Sequence, residues 1–225
     1  VYYRILSLVS LLLIILILSV FVRPYFHSSH DKKKILMAGR STMALWFKHW
    51  NWPYPLRVKT TYKPWPIPYK KYSKGNLYLV YQQLPSPRSR NENEPFGEAM
   101  VRGFEEGLSY MNYEGAFFKF CFVDFPVKTK EEQQQRLADL QKTVVEIYKI
   151  CSENNTKLII GNALPLPSPN EYTLNLQQEY NHWLEEFAMS RENILIFDLY
   201  TPLTDEKGRF KMNLARASDD HHPGE

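Results

Sequence analysis

The sequence predicts an α/β fold of three layers, in which helices cover both faces of a central parallel sheet of five strands. Short apolar runs, typical of strands buried on both faces, alternate along the chain with longer segments of helical periodicity. This alternation favours parallel strands joined by right-handed crossovers. The folded part of roughly 190 residues is large enough for one domain with a sizeable core.

Five apolar runs are the candidate strands, and the segments between them are candidate helices. The strands are predicted at 35–39, 77–81, 117–123, 158–161 and 194–197, and the helices at 41–50, 97–111, 128–152 and 170–189. Residues 51–74 hold prolines that interrupt any long helix. We therefore expect an ordered excursion over the surface there, with a short strand near 57–61.

The N-terminal segment 5–22 is apolar, carries no charge and follows Arg4. It is long enough to cross a hydrocarbon core of about 30 Å. Small residues typical of a signal-peptidase site are missing after it, which favours an anchor over a cleaved signal. We predict a transmembrane anchor or uncleaved signal at 1–23, a tether at 24–33 and one folded domain at 34–225.

The membrane orientation receives conflicting signals. Basic residues at 32–34 follow the apolar segment, and the positive-inside tendency would keep that side in the cytoplasm. The chain begins with Val, however, so residues that enter this charge count can be missing. We expect the folded domain on the extracytoplasmic side, in the cell envelope.

Several function classes find no support in the sequence. The formal charge of +4 is spread along the chain, which argues against a nucleic-acid surface. Glycine-rich phosphate loops and zinc-binding spacings are missing, so we predict no cofactor and no metal. Cys121 and Cys151 fall in apolar patterns and favour two buried thiols over a disulfide. Lys119 interrupts an apolar strand, so it lies at a sheet edge or pairs with a carboxylate.

Polar residues follow the ends of four candidate strands. They are Ser41, Asp124, Asn162 and Asp198. Ligands bind outside the carboxyl ends of parallel strands, so we expect these side chains along one rim. Ser41 also begins a candidate helix, where backbone N–H groups can stabilise an oxyanion. The simpler alternative is that Ser41 only caps that helix.

A second polar group lies near the end of the sequence, where His222 follows Asp219 by three residues. A histidine with a pKa near 6.5 can remove the proton of a serine hydroxyl at neutral pH, and an aspartate can orient the imidazole. His221 is the alternative base. Alternatively, this segment is a solvated tail or a weak metal-binding patch.

The two segments together resemble the SGNH/GDSL hydrolase superfamily of esterases and acetylhydrolases. Residues 39–41 read Gly-Arg-Ser, with Arg40 where the superfamily usually has Asp, and residues 219–223 match its Asp-x-x-His-Pro block fully. The resemblance spans about residues 34–223. It implies a flavodoxin-like α/β/α fold and a triad of Ser41 as nucleophile, His222 as base and Asp219 as the residue that orients it.

The middle blocks of the superfamily are less complete here. Residues 121–124 align best with its Gly-x-Asn-Asp block, whose Asn donates to the oxyanion, and Val123 has no such donor. The resemblance implies oxyanion donors from the Ser41 amide and Gly97, and the missing donor is absent or supplied by Asn162 or by a backbone amide. Loss of one donor typically costs about 10²–10³ in rate, so a weak or inactive enzyme is also compatible with the sequence.

The expected function is that of a membrane-anchored serine esterase, which removes an O-acyl (acetyl) group from a cell-envelope carbohydrate or a small ester. Four tryptophans near the N-terminal end of the domain either stack on sugar rings or pack the core. The alternatives are an inactive relative that binds glycan or assists polysaccharide assembly, and an O-acyltransferase. Superfamily members usually continue into a closing helix after the histidine block, so the chain is a fragment or lacks that helix.

Overall fold

The computed structural model describes residues 32–40, 70–74, 77–87 and 94–214. The strands in these ranges are β1 (Lys33–Gly39), β2 (Lys70–Lys74), β3 (Leu77–Gln83), β4 (Gly115–Lys119), β5 (Lys157–Gly161) and β6 (Ile194–Phe197). The helices are α1 (Glu98–Ser109), α2 (Lys130–Glu153) and α3 (Glu171–Met189). Short 3₁₀ turns occur at Phe122–Asp124, Thr201–Leu203 and Met212–Leu214.

The strands form one sheet in the order β2-β3-β1-β4-β5-β6. Five of them are parallel, which confirms the predicted parallel sheet, and β2 pairs antiparallel with β3 at the edge. The sequence did not predict β2, whose residues KKYSK form no apolar run. An edge strand needs no such run, because polar and charged residues are common on sheet edges.

The two faces of the sheet have different partners. One face packs against all three described helices through alternate strand residues, which include Leu36, Val80, Phe118 and Ile160. The opposite face carries a separate apolar cluster made of strand residues, among them Met37, Tyr81 and Phe117. This alternation is the period of two expected of a strand.

The described residues cover only part of what the sequence predicts. The apolar segment 5–22, the candidate helix 41–50 and the candidate strand 57–61 lie outside them, so the anchor and the second helical layer stay predictions. Helices within the described ranges lack the length and apolar character of a membrane span. The described residues from Lys33 onward belong to one compact unit of the chain.

Strand β4 is shorter than the predicted strand at 117–123 and begins two residues earlier. The chain leaves the sheet after Lys119 because a tight turn closes at Phe122–Asp124. The Asp124 N–H donates to the Cys121 carbonyl at 2.9 Å, and the Asp124 side chain accepts from the Cys121 N–H at 2.8 Å. The run remains apolar because Phe120, Cys121 and Phe122 are buried beyond the strand.

Polar side chains at the starts of α2 and α3 fix the loop that follows β4. The Thr129 hydroxyl caps α2 and the Asn170 side chain caps α3, as free N–H groups at helix starts require. The Asn170 amide also donates to the Val127 carbonyl at 2.7 Å, which ties the loop to α3. Cys121 and Cys151 are buried free thiols, as predicted.

Lys119 ends β4, the strand between β1 and β5, and is therefore not at a sheet edge. Its side chain is 2% exposed, and its ammonium donates to the Phe120 carbonyl at 3.4 Å. Burial lowers the pKa of Lys119 to about 8, with Arg40 acting in the same direction and Cys121 and Asp124 opposing it. Asp124 thus favours the charged form of Lys119, and the predicted pairing with a carboxylate stays a prediction.

The buried ammonium makes stability depend on pH in a defined direction. Between pH 8 and 10.5 the unfolded chain keeps the Lys119 proton while the folded chain loses it, so stability rises with pH. The full shift corresponds to about 3 kcal/mol. We expect the unfolding free energy of the wild type, relative to Lys119→Met, to rise across this window in denaturant titrations.

Lys149→Met is the matched control, because Lys149 pairs with Glu146 at the surface. The Lys149 side chain is 57% exposed, so this variant shows the effect of removing a lysine that is not buried. A difference that stays flat across the window for Lys119→Met would show that burial does not lower the pKa of Lys119.

Candidate active site

The order of the parallel strands places a ligand crevice between β1 and β4. Leaving out the edge strand β2, the sequence of strands is that of a flavodoxin-like sheet, and the connections change direction at β1 and β4. Ligands bind at such a switch point, outside the carboxyl ends of the strands. Arg40 lies just beyond β1 and Asp124 beyond β4, so both stand at this position.

The predicted triad residues lie outside the described part of the chain. Ser41 directly follows Arg40 in the sequence, and Asp219, His221 and His222 come after the last described residue. The structure therefore does not test whether they meet. Of the predicted oxyanion residues, Gly97 and Asn162 are described.

An ion pair joins the two sides of the crevice. The Arg40 guanidinium donates to Asp124 Oδ1 at 2.7 Å, with the Arg40 side chain 24% exposed and that of Asp124 3% exposed. The other oxygen, Oδ2, accepts the Cys121 N–H. Both carboxylate oxygens of a nearly buried side chain thus have a donor, as burial of a charge requires.

A second arginine supports the same turn from α2. Arg136 donates to the Asp124 carbonyl at 2.9 Å, and its guanidinium stacks 4.3 Å from the centre of the Phe96 ring. Burial raises the pKa of Asp124, whereas Arg40, the Cys121 amide and Lys119 act to lower it. The Asp124 carboxylate therefore lies near three cationic side chains, those of Arg40, Lys119 and Arg136.

The end of β1 is also held from the β3 side. The Tyr81 hydroxyl lies 3.3 Å from the Arg40 carbonyl oxygen and 3.5 Å from the Gly39 carbonyl oxygen. The Leu84 N–H donates to the Gly39 carbonyl at 2.9 Å. The two residues before Ser41 are consequently fixed by contacts from both neighbouring strands.

Asn162 ties the end of β5 to the segment after β6. Its Oδ1 accepts the Leu199 and Tyr200 N–H groups at 2.6 and 2.9 Å, and its Nδ2 donates to Asp198 Oδ1 at 2.8 Å. Partial burial raises the pKa of Asp198, but hydrogen bonds from Asn162 and from the Thr201 and Tyr200 amides hold it below its ordinary value. The Asn162 amide therefore faces β6.

Gly97 begins α1 with a positive φ of 84°. A side chain there would be strained, and its Cβ would collide with Thr143, so the position favours glycine. Its N–H donates to the Pro87 carbonyl at 2.8 Å and its carbonyl accepts the Val101 N–H. The single N–H of Gly97 is thus already used within the protein.

Val123 lies in the 3₁₀ turn with 42% of its surface exposed, and its side chain can donate no hydrogen bond. It borders a groove of about 940 Å³ along the first turns of α2. Hydrogen-bonding side chains in the groove include Lys128, Glu131, Gln135, Asp139 and Asn170. The described residues include no group of three or more His, Cys, Asp or Glu side chains placed to hold a metal ion.

Sequence reasoning missed the partner of Arg40. It treated Arg40 only as a departure from the usual Asp, and Asp124 as a residue at a strand end and the last position of the segment that aligns with the Gly-x-Asn-Asp block. The pair could have been predicted from the expected strand order, because β1 and β4 are neighbours in a flavodoxin-like sheet. An arginine that follows one of these strands and an aspartate that follows the other are then candidates for an ion pair.

Proteins similar to this chain are found by comparing structures, and none is found by comparing sequences. No protein-family model matches the sequence, and no curated protein matches it either. Among solved structures, a GDSL-like lipase from Bacteroides thetaiotaomicron superimposes with a TM-score of 0.55 at 12% identity, covering 92% of this chain and 87% of that one.

Two further structures have similar scores. A protein from Streptococcus pneumonia, named for platelet activating factor, has a TM-score of 0.50 at 16% identity, covering 98% of this chain and 91% of its own. A protein from Bacteroides fragilis, named as an acylhydrolase, has a TM-score of 0.50 at 11% identity, with coverages of 85% and 78%. At these identities the likeness concerns the fold, and the chain has the α/β fold of the SGNH/GDSL hydrolases.

Proposed function

We propose that this protein is a serine esterase of the SGNH type. The observation that carries the proposal is the position of residues 39–40 at the switch point of a GDSL-like sheet, immediately before Ser41. The Asp219-x-x-His222-Pro223 segment supplies a matching acid and base in the sequence. Serine, histidine and aspartate in these roles suit acyl transfer to water.

In the proposed reaction, Ser41 Oγ attacks the ester carbonyl carbon while His222 takes the hydroxyl proton. The tetrahedral intermediate collapses, and His222 returns the proton to the departing alcohol, which leaves an acyl-enzyme. Water then attacks the acyl carbon with His222 as base, and Ser41 is released. Asp219 orients the imidazole of His222 throughout.

The oxyanion needs N–H donors, and the Ser41 amide is the first candidate. Gly97 is a weak candidate because its N–H is bonded to Pro87. Asn162 keeps a second amide hydrogen, but β5 stands two strand spacings, about 10 Å, from β1. We therefore assign Asn162 mainly to holding the β6 segment.

The proposed substrate is an O-acylated, specifically O-acetylated, carbohydrate of the cell envelope, or a small ester. The groove beside Val123 supports a carbohydrate, since its carboxylates and amides can exchange hydrogen bonds with sugar hydroxyls. The uncharged segment 5–22 supports anchoring of the domain to a membrane. The extracytoplasmic side is part of the proposal, because the proposed envelope substrate lies there, although the basic residues 32–34 favour the opposite orientation.

A second candidate function is glycan binding with little or no catalysis. It is favoured by Val123, which offers no side-chain donor at the turn after β4. This reading predicts saturable binding of glycan that survives Ser41→Ala. Transfer of the acyl group to a sugar hydroxyl would use the same serine, and trapping of acylated sugar would distinguish it from hydrolysis.

Active-site labelling tests the proposed nucleophile. The full chain, kept in detergent because of segment 5–22, is treated with a fluorophosphonate probe that reacts with activated serines. We expect labelling of the wild type and loss of labelling in Ser41→Ala and His222→Ala, because the former lacks the nucleophile and the latter its base.

Two surface variants serve as matched controls. Ser109 bonds only locally, to the Glu106 carbonyl, and His182 pairs with Glu186 on the surface of α3. Ser109→Ala and His182→Ala should label like the wild type. A folded wild type that stays unlabelled would refute the esterase proposal and leave glycan binding as the better account.

Replacement of Asn162 tests its assignment. Asn162→Ala leaves the buried Leu199 N–H without its acceptor, so the unfolding free energy should fall by about 2 kcal/mol. The folded fraction should still label at a rate within about tenfold of the wild type, as a residue outside the oxyanion hole would. Thermal unfolding and labelling kinetics measure both quantities.

Asn154→Ala is the control, because the Asn154 side chain makes one exposed bond to the Ile150 carbonyl. It should change stability by less than about 1 kcal/mol. If labelling of folded Asn162→Ala instead drops by about 10²–10³, Asn162 is an oxyanion donor and our assignment is wrong.

A further inference from the structure

We propose that Arg40, Asp124 and Tyr81 are positioning residues that fix the chain just before Ser41 for attack. The inference rests on the proposed function and adds to it a role for three residues outside the triad. It explains why a nucleophile segment with Arg in place of the usual Asp can remain organised.

The anchor on the β4 side is rigid. Asp124 is held by the Cys121 N–H through Oδ2 and by Arg136 through its backbone carbonyl, so its position does not depend on Arg40. Its remaining oxygen, Oδ1, bonds the Arg40 guanidinium at 2.7 Å. The Arg40 side chain is therefore held by Asp124, which lies in the turn just beyond β4.

The anchor on the β3 side acts on the backbone. Tyr81 is 2% exposed, and its hydroxyl reaches the carbonyl of Arg40, the atom that belongs to the peptide bond with Ser41. The buried ring is held by its packing against the strands, and its hydroxyl makes a long contact of 3.3 Å with this carbonyl oxygen. The side chain and the carbonyl of Arg40 are thus held from opposite sides.

Such restraint matters more for rate than for stability. Nucleophilic attack requires the reacting atoms about 3–3.5 Å apart with aligned orbitals, and a displacement of 1 Å can cost about 10²-fold in rate. The Arg40 side chain is partly exposed and is not part of the apolar core. Its removal also takes one donor from the nearly buried Asp124 carboxylate, so Arg40→Met should lose stability as well, and kcat is measured on the folded fraction.

The experiment compares kcat and KM of the full chain for p-nitrophenyl acetate. Arg40→Met and Asp124→Asn should each lower kcat by about 10²-fold while KM changes by less than about threefold. The double variant should lose no more than either single variant, because both break one interaction. Arg40→Lys keeps the charge and should recover part of kcat.

Tyr81→Phe tests the second anchor without removing a charge, and it keeps the buried ring. It should lower kcat by about tenfold or more with an unchanged KM. Arg102→Met is the control for Arg40→Met, because Arg102 forms its ion pairs with Glu94 and Glu98 on the surface. Its kcat and KM should equal those of the wild type.

The outcomes separate this inference from the proposed function. An active, fluorophosphonate-labelled wild type with unchanged kcat in folded Arg40→Met refutes the positioning role and leaves the esterase proposal intact. Loss of kcat in Arg40→Met with none in Asp124→Asn or Tyr81→Phe also refutes it, since Arg40 would then act on the substrate itself. A folded wild type that neither labels nor hydrolyses ester refutes both.

Discussion

The buried carboxylate of Asp124 is the constraint on which the rim of the sheet depends. A carboxylate with 3% exposure is tolerable only when donors surround it, and here they come from the Cys121 amide and from Arg40 across the crevice. The hydrogen bond from the Cys121 N–H to Asp124 closes the turn that ends β4, and the ion pair from Asp124 to Arg40 extends to β1. The same carboxylate therefore determines both the backbone turn and the charge pairing across the crevice.

Most of the sheet could be predicted from the sequence because buried parallel strands require continuous apolar runs, and Ile194–Phe197 was predicted to the residue. The prediction was wrong where tertiary contacts override that pattern. Phe120 and Phe122 continue the apolar run of β4, yet they are buried outside the sheet, around a turn that hydrogen bonds close. Strand β2 was missed for the opposite reason, since an edge strand needs no apolar run.

The candidate site was only partly accessible to sequence reasoning. Strand ends locate the rim, so Asp124, Asn162 and Asp198 were placed correctly along it, whereas Ser41 lies outside the described residues. Side-chain pairing across the rim depends on strand order and on hydrogen-bond direction, neither of which a linear pattern contains. That is why Asn162 proved to bond the segment after β6, and why the Gly97 N–H proved to be taken by Pro87.

The Arg40–Asp124 pair also limits how this sequence can change. In this chain the guanidinium of Arg40 supplies a donor to a carboxylate that is 3% exposed. A residue at position 40 that cannot donate a hydrogen bond would leave one Asp124 oxygen with one donor fewer. The identity of the residue before Ser41 is therefore limited by a side chain that lies 84 positions later in the sequence.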